Sequence, residues 1–74
     1  GRVFGNTVPN ARLSPREIDA LQLMADGLSL SEAADALSLS EFTVRDYLIS
    51  AAKKLNAANR TQAVAIALRM GLIS

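Results

Sequence analysis

Residues 29–55 read SLSEAADALSLSEFTVRDYLISAAKKL, and two helix starts fall within that one stretch. Ser29 and Glu32 form a capping box. In it the serine oxygen accepts the N–H of the third helical residue, and the carboxylate accepts the serine N–H in return. The short helix so opened turns Ala33, Ala34 and Leu37 inward. Ser38 and Leu39 make a tight turn, and Ser40 caps a longer helix predicted from about Glu41 to Leu55. Along it Val44, Leu48, Ala51, Ala52 and Leu55 recur at spacings that define a buried stripe. Two helices that cross at small alanines over so tight a turn make a helix-turn-helix.

The flanks extend the same logic. Upstream, Ser14-Pro15-Arg16-Glu17 is another capping box, with proline at the first helical position. Ile18, Leu21, Leu23 and Met24 give that helix its apolar face, and Gly27 ends it. Downstream, Asn59-Arg60-Thr61-Gln62 reads as a further box, opening a last helix that stops at Gly71. No segment alternates as a strand does. The expected fold is all-α: a compact four-helix bundle over residues 13–74, its second and third helices forming the helix-turn-helix. Residues 1–12, GRVFGNTVPNAR, lack periodicity and read as a linker or arm whose Val3, Phe4 and Val8 are free to dock.

A chain of 74 residues holds one small domain. It contains no His and no Cys, which removes zinc fingers, disulfide frameworks, thiol nucleophiles and Ser-His-Asp triads. Its acids fall at helix starts and solvent faces with no Gly-rich loop beside them, so no enzyme activity, metal or cofactor is expected. No apolar run approaches the ~20 residues of a membrane span, and the cytoplasm is the expected compartment.

The net charge of +1 conceals a split. Residues 13–41 set six acids against Arg16, a net of −5. Residues 42–74 set Arg45, Lys53, Lys54, Arg60 and Arg69 against Asp46, a net of +4, and Arg2 and Arg12 supply the other two charges. Such polarity suits a domain that aims one element at an anion. The helix start at Ser40, Thr43 and Arg45 gathers a helix dipole, hydroxyls and a guanidinium, groups suited to phosphate oxygens and guanine edges. Paired helices serve many purposes, so this pattern alone does not specify DNA.

An ordered set of motifs narrows the choice. Leu13, Ser14, Arg16 and Glu17 open it. Ala25, Gly27, Ser29, Glu32, Ala33, Ala34, Leu37 and Ser40 continue it, followed by Thr43-Val44-Arg45 and by Lys54 to Val64. In this order and spacing, residues 13–73 resemble the LuxR-type (GerE/FixJ-like) DNA-binding domain. The resemblance implies a regulator of bacterial transcription that binds double-stranded DNA with its third helix in the major groove. It implies base contacts from Arg45, Asp46 and Ile49, and phosphate contacts from Ser40, Thr43, Tyr47, Lys53, Lys54 and Arg60. Glu17 and Glu32 are implied to be structural. Tyr47 stands where the family usually has His, and Ile49 where many members carry a polar or basic residue. Ile49 can touch a thymine methyl but cannot hydrogen-bond a base, and Asp46 fits a base only by accepting from a cytosine amino group.

The last helix, apolar nearly all round, implies a homodimer through Val64, Ala67 and Leu68, reading a palindromic site. RNA polymerase is a second partner to consider. Residues 54–64 look most like the quorum-sensing branch, whose signal acts on a sensor outside this chain. Two alternatives remain open. Sigma-factor region 4 shares the Arg-Glu opening and the Thr-Val-Arg triplet, although the capped fourth helix argues against it. A helix-turn-helix kept as a heterodimerisation module is the other, favoured by Asp46 and Ile49.

Overall fold

The computed structural model describes residues 12–74, so Val3, Phe4, Val8 and the rest of the expected arm up to residue 11 lie outside the described residues. Four helices follow in order: α1 (Pro15–Ala25), α2 (Leu30–Leu37), α3 (Glu41–Lys54) and α4 (Arg60–Arg69). Among the described residues there is no strand. The all-α four-helix expectation holds, with α2 and α3 as the helix-turn-helix.

Side chains write the helix starts. Ser14, Ser29, Ser40 and Asn59 each accept the N–H three residues on, at 3.2, 3.1, 3.0 and 2.8 Å. Glu17 and Glu32 close their boxes on the serine N–H groups at 2.8 Å. The fourth start departs from expectation: Gln62 accepts from Ala58, not from Asn59. Asn59 is more extended (φ −158) than the serine caps (φ −72 to −77), which leaves the Ala58 amide facing Gln62.

All four helices end alike. A residue in the left-handed region donates back across the last turn and its successor donates one residue further back, the Schellman arrangement. Gly27 and Gly71 fill that position, as their residue type suggests, but so do Ser38 (φ 58) and Asn56 (φ 56). Ser38 donates to Asp35 and Leu39 to Ala34, which makes the turn between α2 and α3.

The α3 helix touches each of the other three. Its Val44, Leu48, Ala51 and Leu55 are buried, whereas Ala52, expected in that stripe, is half-buried at its edge. Facing them are Leu21 and the buried alanines Ala20, Ala33, Ala34, Ala63 and Ala67, whose small side chains let backbones approach closely. Beyond α4, Ile73 is buried, and the Gln22 amide bonds the Ser74 backbone twice, at 3.1 and 3.2 Å.

Among the described residues, one charge lies inside. Glu17, 4% exposed, accepts from Lys54 Nζ at 2.8 Å, joining the start of α1 to the end of α3. Lys54 also donates to the Arg12 carbonyl. Burial opposes ionisation of Glu17, but hydrogen bonds from Lys54, Ser50 and the Ser14 backbone, with the lysine charge, lower its pKa from 4.5 to about 2.

Because the folded pKa is depressed, the stabilisation is complete above about 4.5 and is lost as pH falls toward about 2. Glu17→Gln should be less stable than wild type by up to about 3 kcal/mol at neutral pH. Urea titrations followed by circular dichroism should show that gap closing in acid, and a gap independent of pH would refute the assignment. Asn56 gives a second expectation from its left-handed backbone. Asn56→Val should lower the unfolding free energy by about 1–2 kcal/mol, while Asn56→Gly should not destabilise. Thermal melts of the two variants decide it.

Candidate nucleic-acid interface

Burying one side of α3 determines the other. With Val44, Leu48, Ala51 and Leu55 in the core, Phe42, Arg45, Asp46, Ile49 and Lys53 stand exposed, at helical spacing along one face. Arg45, Asp46 and Ile49 therefore sit together on that face. Phe42, 67% exposed, was not among the expected residues. An apolar residue in a first turn reads as core, and only its spacing from Arg45 and Ile49 points to the outer face.

At the head of α3, the Ser40 hydroxyl donates to Thr43 Oγ1 at 2.9 Å while accepting the Thr43 N–H. The pair is thus held in place, with Ser40 exposed and Thr43 half-buried. Tyr47 is half-buried and packs against the core.

A groove of about 450 Å³ runs between α3 and the turn into α4. Leu48, Ile49, Ala52 and Ala57 are among the apolar residues lining it, and Arg45, Lys53 and Arg60 bring three cations to it. Arg60 is the first residue of α4, so the positive end of that helix opens at the same place. Cations and a helix start on one side of an exposed helix are the means by which a protein grips a phosphate backbone. Four of the exposed acids, Asp19, Asp26, Glu32 and Asp35, lie on or beside α1 and α2, while Glu41 and Asp46 stand exposed on α3 itself.

Two expected residues are placed differently. Lys54 is held by Glu17 and the Arg12 carbonyl, so its ammonium serves the scaffold and is not presented with Lys53. Ala67, expected on a dimer surface, is fully buried in the chain's own core and offers no atom to a partner. Leu68 beside it is 46% exposed, and Val64 is half-buried. Met70 extends the exposed apolar edge past the end of α4.

Comparison with known proteins agrees with the fold. The family described as "Bacterial regulatory proteins, luxR family" matches residues 11–67. A quorum sensing-dependent transcriptional regulator of Rhodopseudomonas palustris, RpaR, is 53% identical over 62 residues, covering 84% of this chain and 26% of that protein. The chain thus spans about a quarter of the length of such relatives. The solved transcription factor GerE superposes with a TM-score of 0.80 at 34% identity, over 84% of this chain and 92% of that one. The Vibrio cholerae protein VqmA, described as a dimer among LuxR-type receptors, superposes with a TM-score of 0.79 at 26% identity, over 86% and 30% of the two chains. The family match decides against sigma-factor region 4. No helix among the described residues is long and apolar enough to cross a membrane. The chain belongs to the luxR family of bacterial regulatory proteins and is a helix-turn-helix DNA-binding domain.

Proposed function

We propose that α3 enters the major groove of double-stranded DNA and reads a specific site as the output element of a cytoplasmic transcription regulator. One observation carries this reading: Arg45, Ile49, Lys53 and Arg60 converge on a single groove beside the exposed face of α3. Arg45 pairs with a guanine edge, Asp46 accepts from a cytosine amino group, and Ile49 meets a thymine methyl. Lys53, Arg60, Ser40, Thr43 and Tyr47 hold the phosphates on either side. Lys54 is left out of that set because Glu17 engages it.

Two copies associate through the exposed edge of α4 at Leu68 and the half-buried Val64, and so read a palindrome with half-sites about one helical turn apart. The resemblance to RpaR, named for quorum sensing, supports a small diffusible signal acting on a sensor region outside this chain. RNA polymerase is the partner through which such a regulator acts. Catalysis has no part in this reading.

Gel-shift titration over a range of salt tests the function directly. Log K should fall with log salt at about −0.9 for each phosphate neutralised. Arg45→Ala should cost roughly 1–3 kcal/mol and relax preference at one base pair, while Lys53→Ala weakens all sequences alike. Absence of binding at low salt would overturn the reading. For the dimer, Leu68→Asp should shift sedimentation toward monomer with the helical circular dichroism intact; an unchanged profile would show that α4 is not the interface.

A further inference from the structure

Phe42 has no structural role that accounts for its position. It is the most exposed large hydrophobic residue among those described, and neither it nor Ile49 belongs to the core or to the apolar residues packed on it. Both stand on the face of α3 that also carries Arg45 and Asp46. Phe42 lies in the first turn, two residues after the Ser40 cap, and the first turn of a recognition helix is the part that contacts base edges.

Resting on the reading above, we infer that Phe42 is a specificity-determining residue: its ring takes up a thymine methyl in the major groove, on the opposite side of Arg45 from Ile49. The major groove displays one apolar group, the C5-methyl of thymine, and so an exposed ring there has one apolar contact to make. Seven residues separate Phe42 from Ile49, about 10 Å along the helix axis, or about three base-pair steps. The two apolar side chains therefore address different base pairs, with Arg45 and Asp46 between them. This alternation of apolar and charged groups suits a row of base edges. A protein partner would favour a centre depleted of carboxylates, and Asp46 interrupts any such patch.

The test uses the whole chain and a randomised duplex pool spanning about two helical turns, selected at low salt. The enriched duplex is then made again with uracil in place of each thymine in turn, which removes one methyl group and nothing else. Wild type should lose affinity about fourfold at one thymine per half-site through Phe42, the equivalent of one methyl group returned to water. Phe42→Ala should bind the thymine duplex more weakly and become indifferent to uracil at that position, while the separate position sensed by Ile49 keeps its effect. Phe42→Leu should retain part of the sensitivity. Unchanged thermal melts of both variants are expected, because the side chain packs on nothing in the core. Equal binding of every uracil duplex by wild type, or an unaltered uracil profile in Phe42→Ala, overturns the inference while leaving DNA binding in place. Failure of wild type to enrich any sequence would remove the DNA-reading function itself, and the inference with it.

Discussion

The outer face of α3 is only as well defined as the fixing of α3 against α1, and that fixing centres on the buried carboxylate of Glu17. It closes the cap at Ser14, receives Lys54 from the far end of α3 and takes a hydrogen bond from Ser50. Each contact offsets part of the cost of removing a charge from water. Taking Lys54 away would leave the carboxylate buried and unpaired, a loss of several kcal/mol in such settings. The geometry is correspondingly specific: sliding α3 along its axis by one turn, about 5.4 Å, would break the pair. Around this anchor buried alanines let the helices meet closely, and Leu21, Val44, Leu48, Leu55 and Ile73 fill the space between them.

Much of the fold is legible in the sequence because it is written locally. Ser14, Ser29, Ser40 and Asn59 each act within a single turn, and the stripe from Val44 to Leu55 needs only helical spacing to be seen. The left-handed backbone at Ser38 and Asn56 is harder to see than the helix ends themselves, since neither residue is the glycine that normally announces it. Contacts distant in sequence are not legible at all. Glu17 with Lys54 and Gln22 with Ser74 pair across 37 and 52 positions, and no local pattern encodes them.

The same division runs through the site. Arg45, Asp46 and Ile49 follow from the motif and from the stripe behind them, and the structure sets them side by side. Lys53 and Arg60 lie on different helices, yet one groove gathers both. Lys54 and Ala67 go the other way because burial decides them: one is drawn inward by Glu17, the other is sealed in the core. Phe42 is obscured by its residue type, since a phenylalanine in an amphipathic helix reads as an inward residue until the helix is rotated into place.

The ion pair at Lys54 also reaches into kinetics. Under the proposed reading, a lysine already paired with a carboxylate adds little to the release of counter-ions, so the basic half of the chain meets DNA with less charge than its composition implies. Retention on random sequence is almost wholly electrostatic, whereas discrimination among sequences comes from base edges. Losing one phosphate contact lowers affinity for all sequences about equally, so discrimination is left to the base edges alone. On the same reading such a domain releases every duplex more readily, and its salt dependence is shallower by about one phosphate than its cation count suggests.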